Sequence, residues 1–312
     1  MKSSGIGGQA VIEGIMMRNG TKYAVAVRKE NNEIALKKDE FFGTNSSKIT
    51  KLPFFRGIFS FIDSLMLGSK CLNFSASFFE EDEKESKTEK VLRQIFGDKL
   101  EKVLVTFSTI FGVIMAIGIF MLLPAVISNF LKGFISSMFV LSLIEGVIRI
   151  GIFVGYVALI SRMEEIKRVF MYHGAEHKCI NCIEHGLELT VENVMISSKQ
   201  HKRCGTSFML IVMVISILFF MVIRVDTLWL RLLSRVLLIP VIAGVSYECL
   251  KIAGNSNSKW IDLLSKPGMW LQNLTTKEPT KDMVEVAICA VEEVFDWKTY
   301  LKENFNKKEG VE

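Results

Sequence analysis

Histidine is scarce in this 312-residue chain, and ionisable side chains are missing from long parts of it. Four histidines are present, and none lies outside positions 173 to 201. Val103–Ser128 and Gly205–Ile223 hold no ionisable residue, and Gly133–Ser161 is apolar apart from Glu145 and Arg149. Half of the residues are hydrophobic, and the mean hydropathy is +0.33. That distribution excludes an ordinary soluble domain with its charge spread evenly. MKSSGIGGQAVIEG has a lysine but no apolar core, and Glu13 interrupts its first apolar run, so no cleaved signal peptide is expected. GIGG lacks the lysine and Ser/Thr of a phosphate loop, which argues against nucleotide binding. No internal repeat is found.

A membrane-spanning helix needs about 20 mostly apolar residues. Residues 103–128, 133–161 and 205–223 meet that test, and 232–252 makes a fourth span if Arg235 snorkels to the interface. The alternative for the fourth is a buried or re-entrant helix. The stretch 162–204 carries Arg162, Lys167, Arg168, Lys178, Lys199, Lys202 and Arg203, whereas the connection after the first span carries only Lys132. Lysine and arginine favour the cytoplasmic side. The expected placement is the bacterial inner membrane, multi-pass, with both termini and 162–204 in the cytosol. Cysteines there are thiols or metal ligands rather than disulfides. The net charge of +5 needs no nucleic acid partner.

Outside the spans, YAVAVRKENNEIALKK alternates about Glu30-Asn31-Asn32, a hairpin pattern, and QAVIEGIMMR adds a further strand. These fall within an N-terminal segment, 1–53. Residues 54–79 are apolar, yet Arg56, Asp63 and Lys70 recur every seventh position and share one helix stripe, as in an amphipathic or interfacial helix. A charged linker fills 80–102. In the C-terminal segment, 253–312, Val284, Ala287, Ile288, Val291, Val294 and Phe295 follow a helical period after Pro279. The expected fold is a mainly α membrane protein of about four spanning helices, with a small α+β cytoplasmic domain built from the N-terminus, the central loop and the C-terminus.

The histidines fall in HGAEHKCINC, from His173 to Cys182, and in HKRCG, from His201 to Gly205. Arg162–Lys178 has no proline, so helix is expected to run on from the second span. His173 and His177 then lie one turn apart on one face, a spacing that suits one zinc-like ion. With Glu176 they read H-x-x-E-H, in which a glutamate beside two metal-binding histidines takes a proton from water. Cys182, His201 and Cys204 are candidates to complete the ligand set. A competing set, Cys179-x2-Cys182 with His201-x2-Cys204, resembles a closed structural knuckle and leaves His173 and His177 free. His185, in EHG, reads as an exposed turn residue. Glu13 and Arg18 form either a tight turn with a surface ion pair or a carboxylate near the metal. Glu145 and Arg149, one turn apart in the second span, read as a buried neutralising pair, with Glu145 lining a polar passage as the alternative.

GGQAVIEGIMMR, FMYHGAEHKCINC, LTVENV, HKRCGTSF and PGMWLQNLTTKEPTKDMVEVAICA closely resemble the YqhQ-like family of bacterial membrane proteins, described in general terms as a predicted metal-dependent enzyme. The resemblance covers nearly the whole chain. It centres on Glu13, Arg18, His173, Glu176, His177, Cys182, His201, Arg203 and Cys204. It does not extend to Cys179 or His185, which disfavours the knuckle. The expectation is a membrane-embedded, metal-dependent hydrolase of peptidase type. Glu176 and Glu13 are its candidate catalytic residues, and His173, His177, His201, Cys204 and Cys182 its candidate ligands for a divalent ion, foremost zinc. A non-enzymatic assembly factor or scaffold with a structural metal is the alternative, and a transporter the third. The lipid bilayer is the implied partner, with a peptide or membrane protein as substrate and self-association into a homo-oligomer as a further possibility.

Overall fold

The computed structural model describes residues 2–43, 50, 52–79, 97, 100–223, 225, 227–255 and 259–305. Most of the expected linker at 80–102 lies outside the described residues. The chain divides into two compact units. One comprises Met1–Phe79, Val154–Val212 and Val241–Glu312, and the other Glu80–Phe153 and Met213–Pro240. The first therefore draws on the N-terminus, the central loop and the C-terminus.

The first unit is built on an antiparallel sheet in the order β1 (Ile6–Val11), β2 (Gly14–Asn19), β3 (Lys22–Arg28) and β4 (Ile34–Glu40). QAVIEGIMMR thus supplies parts of two strands rather than one. Neither β2 nor β3 has a solvated face, which is why GIMM and YAVAV are apolar throughout. Successive side chains in a strand point to opposite faces. Ile15, Met17, Ala24 and Ala26 face a core shared with α5 (Glu164–Glu184) and α11 (Lys281–Val294). Met16, Tyr23, Val25 and Val27 face Leu67 and Cys71 of α1 (Phe55–Ala76). The sheet is a filling between helices. The expected C-terminal periodicity is that of α11, where Val284, Val286 and Val291 are fully buried. Each such side chain contributes about 1.5–3 kcal/mol relative to exposure.

The α1 stripe turns inward. Asp63 is buried, Arg56 pairs with Glu248, and Lys70 reaches Asp39 at 2.8 Å. Phe61, Ile62, Leu65, Met66 and Leu72 are left exposed on the outer side. The helix is amphipathic, with Arg56 and Asp63 of its polar stripe against the protein and Lys70 exposed.

The remaining elements are α2 (Leu100–Ile117), a π-helical turn (Gly118–Leu122), α3 (Leu123–Phe130), α4 (Met138–Ile160), α6 (Val191–Ile196), α7 (Gly205–Val222), α8 (Leu228–Leu237), α9 (Ile239–Asn255), α10 (Lys259–Thr275) and α12 (Trp297–Asn304). Val103–Gly133, Met138–Ile160 and Gly205–Val222 are long and apolar enough to cross a membrane. Leu228–Leu237 with Ile239–Ile252 is bent by 45° and makes a fourth only as one broken span. The helix expected to continue past the second apolar stretch is interrupted. α4 stops at Ile160, Met163 is extended, and α5 begins afresh with Glu164 and Glu165 in its first turn. Two carboxylates suit a new helix N-terminus, where the peptide dipoles leave partial positive charge.

Candidate metal centre

The site is built on α5, held against the sheet by its buried face. His173 and His177 project from successive turns, with ring centroids 4.5 Å apart. Cys204 immediately precedes α7, and its carbonyl accepts the first N–H bonds of that helix from Ser207 and Phe208. Its sulfur lies 3.3 Å from Nε2 of His173. Donor atoms from His173, His177 and Cys204 all fall within 4.8 Å of one another.

Two main-chain carbonyls orient the imidazoles. Nδ1 of His173 lies 2.8 Å from the Thr275 carbonyl, and Nδ1 of His177 lies 2.6 Å from the Lys199 carbonyl. A carbonyl can only accept, so each Nδ1 carries the proton and each Nε2 keeps its lone pair. An outer hydrogen bond of this kind fixes the tautomer of a metal-ligating histidine. The Cys204 sulfur receives the Thr206 amide at 3.4 Å and faces the Thr206 hydroxyl at 3.5 Å.

The local sequence explains how those carbonyls arrive. Gly174 lets the strap after α10 lie on α5, since a Cβ there would stand 2.0 Å from the Lys277 carbonyl oxygen. The strap is pinned by the Lys277 amide donating to the Phe170 carbonyl at 2.9 Å. Lys178 and Asn181, on the same helix, grip the loop that carries Lys199. Nζ of Lys178 donates to the carbonyls of Met195 and Ser197, and Nδ2 of Asn181 to those of Ser198 and Gln200, all at 2.7–2.9 Å. Glu278 closes the ring with ion pairs to Lys178 and Lys199, both 3.1 Å.

Glu176 is buried beside this group, and burial raises its pKa, opposed by the neighbouring His173 and a hydrogen bond from the Gly8 amide. Gly8 of β1 is its immediate neighbour, and a Cβ there would meet Cγ of Glu176 at 2.9 Å and the Met16 carbonyl oxygen at 2.8 Å. The N-terminal glycine motif therefore reaches the site through Gly8. Burial pushes the His177 pKa down, which favours the neutral ring a metal requires.

The other expected residues lie elsewhere. His201 packs on His177, with ring centroids 5.9 Å apart, but its own nitrogens are engaged. Nε2 faces Glu184 at 3.4 Å and Nδ1 accepts from the Arg203 amide at 3.4 Å. Glu184 is fully buried and also accepts from Ser4 and Arg203. Burial opposes its ionisation, yet His201, the Ser4 donors and the Arg203 charge hold its pKa at about 2. Arg203 further reaches Ser3. Cys182 sits in the hydrophobic core, with its thiol aimed at the Glu188 carbonyl at 3.3 Å and its pKa pushed by burial to about 11. Cys179 lies in the same core, and burial raises its pKa. Glu13 turns the β1–β2 hairpin with a φ of 48° and gives its carboxylate to Arg168, with the Tyr172 hydroxyl at 3.4 Å. Arg18 bonds the Gly20 carbonyl and stacks on Phe41. His185 is exposed at the end of α5.

Glu145 and Arg149, in the second unit, form part of a larger group with Arg231 and Arg235 of α8. Arg235 does not snorkel. It is 2% exposed and bonds both carboxylate oxygens of Glu145 at 3.1 Å.

The donor set fits a divalent ion of the zinc type. Bond lengths of about 2.0–2.3 Å at a tetrahedral ion separate donors by roughly 3.3–3.8 Å, so the group closes with movements of about an ångström.

Over residues 52–297 the chain matches a family model described as "Protein of unknown function (DUF1385)". A protein of Bacillus subtilis (strain 168), described as "Uncharacterized protein YqhQ", is 35% identical over 308 residues. The alignment covers 98% of this chain and 96% of that protein. No solved structure matches.

Proposed function

We propose, on the premise that the chain belongs to the DUF1385 family, that it is a multi-pass inner-membrane protein whose cytosol-facing divalent-metal centre hydrolyses a peptide or membrane-protein substrate. The observation that carries the reading is the pair of imidazoles, each locked by a main-chain carbonyl so that its free Nε2 joins the Cys204 thiol. Three protein donors leave a coordination position open, as catalytic zinc sites do, whereas structural sites use four.

When bound, the ion supplies Lewis acidity, polarising a substrate carbonyl and making water more acidic. The rest falls to the chain. His173, His177 and Cys204 hold the ion, and Lys199 and Thr275 keep the two rings in register. Glu176 takes the proton from water and returns it to the leaving amine. Its raised pKa makes the carboxylate a stronger base towards the proton it takes from water.

The burial of Cys204 and His177 favours one second reading, a structural metal that staples α5 to the start of α7. Elemental analysis of the purified full chain, with Glu176→Gln, His177→Ala and Cys204→Ser variants, separates the two. Under the hydrolase reading Glu176→Gln retains metal yet fails to complement a null strain, and the ligand variants lose both. Full complementation by Glu176→Gln, with metal-free ligand variants inactive, refutes hydrolysis in favour of the staple.

The membrane part rests on the apolar helices and the lysine and arginine asymmetry. Cys179, Cys182 and Cys204 are buried, so their silence towards an impermeant thiol reagent decides nothing. Lys167→Cys places a thiol at an exposed position. It should be labelled only after the cells are opened, and labelling of intact cells overturns the orientation.

A further inference from the structure

Among the described residues, the side chains gathered around Glu145 do not balance in charge. Arg149, Arg231 and Arg235 all pair with this one carboxylate, at 3.1 Å in each case. All four side chains are at most 4% exposed. Three guanidinium groups against one carboxylate leave two positive charges in excess, covered by protein. Burying an unpaired charge is strongly unfavourable, and an arginine cannot escape by losing its proton.

The hydrogen-bond inventory points to the same deficit. Arg149 is satisfied. Its Nε donates to the Phe120 carbonyl at 2.8 Å, Nη1 to the Ser216 hydroxyl at 2.8 Å and Nη2 to Glu145. Arg231 and Arg235 are not. Nη2 of Arg231 reaches Glu145 Oε2 and the Ser128 hydroxyl, and Arg235 uses Nε and Nη2 on Glu145. Nη1 of each is buried and has no acceptor among the described residues. Both guanidiniums hold the same oxygen, Oε2, so the two spare donors belong to adjacent groups.

The surroundings are held in place. Phe120 lies inside the π-helical turn, a local insertion that often accompanies functional sites. The Phe220 ring lies under Arg235 at 3.6 Å and under Arg149 at 4.8 Å, bracing both planes. Arg231 and Arg235 are one turn apart on α8 and present their forks from one face.

We propose that this cluster is an anion site for a phosphate group, held by the spare Nη1 donors of Arg231 and Arg235 and counterbalancing the excess charge. Planar guanidinium forks match the geometry of phosphate oxygens, and a group carrying one or two negative charges offsets the imbalance. Inorganic phosphate and the headgroup phosphate of an anionic phospholipid share this chemistry.

The test uses the full-length protein, exhaustively delipidated in an uncharged detergent. Its melting temperature is followed against inorganic phosphate, against micelles doped with phosphatidylglycerol, and against phosphatidylcholine and matched sodium chloride as controls. A saturable rise with phosphate assigns the free anion. A rise with phosphatidylglycerol alone assigns the lipid headgroup. The Arg231→Gln/Arg235→Gln variant should need at least tenfold more ligand for the same response. Should that variant not fold, Arg231→Lys/Arg235→Lys keeps the charge while removing the fork, and the same loss is expected. Phosphorus NMR of the wild-type protein supplies a further readout, with a saturable shifted resonance expected. No rise beyond the sodium chloride control with either ligand overturns the proposal. So does an equal response from the arginine variants.

Discussion

Gly174→Ala tests the link between chain path and the proposed metal centre without touching a candidate ligand. A Cβ at this position would stand 2.0 Å from the Lys277 carbonyl oxygen. Ordinary carbon–oxygen contact requires about 3.3 Å, so the strap must retreat by more than an ångström. That displacement breaks the Lys277–Phe170 backbone bond and draws the Thr275 carbonyl away from Nδ1 of His173. Overpacking alone costs about 1–3 kcal/mol, opposed by up to about 1 kcal/mol of improved helix propensity. The expected net loss is roughly 1–2 kcal/mol. Releasing the outer partner of a ligating histidine weakens metal binding by about 10- to 100-fold. Zinc affinity is measured by chelator competition and stability by thermal melting. Gly151→Ala, in α4 at a position where a Cβ meets nothing within 4 Å, serves as the control and should leave zinc affinity unchanged and stability unchanged or up to about 1 kcal/mol higher. Gly174→Ala with wild-type melting and wild-type zinc affinity would refute the argument. A loss of stability with unchanged affinity would refute only its second half.

Lys178→Met leaves the Met195 and Ser197 carbonyls without their donor and should lower stability by about 2–4 kcal/mol, read by chemical denaturation. Asn181→Ala frees the loop carrying Lys199 and should weaken zinc binding by about tenfold, with little change if that carbonyl does not orient His177. Glu184 is held at about 2 against an ordinary 4.5, so the unfolded chain binds the extra proton between those values. Its contribution, up to about 3 kcal/mol, is complete above pH 4.5 and lost as pH falls towards 2, and Glu184→Gln should remove that slope from acid-unfolding curves. Burial raises Cys71 and Cys182 to about 11 each. Both should resist alkylation at pH 8 in the folded protein and react promptly in denaturant.

The apolar helices were legible because long uncharged runs have few other uses, and α11 because its period was intact. The orientation of α1 was not. Arg56, Asp63 and Lys70 mark a polar stripe, but only tertiary partners such as Glu248 and Asp39 tell whether it faces water or protein. The same limit governed the candidate metal centre. His173 and His177 share a helix, so spacing alone brings them together. His201 and Cys204 were equivalent candidates by spacing, and Glu184 separates them by engaging the imidazole. Nothing local to HKRCG announces that partner. Glu13 was balanced between a turn and the metal, and Arg168 takes it. The real link from the N-terminus is Gly8, which acts through the side chain it lacks. Arg235 was expected to snorkel to the interface, because the carboxylate that draws it inside, Glu145, lies on a different helix.

The two acceptors that orient His173 and His177 belong to the peptide chain, not to side chains. No amino-acid replacement at 275 or 199 deletes a carbonyl oxygen. In a carboxylate–histidine pair, one codon change at the carboxylate abolishes the orienting bond. Here the vulnerability is transferred to the residues that route the chain, Gly174, Lys178 and Asn181 among them. The orienting oxygens at 275 and 199 are therefore invisible to a comparison of side chains, and what such a comparison can register is the packing and ion pairs that route the chain, Glu278 with Lys178 and Lys199 among them.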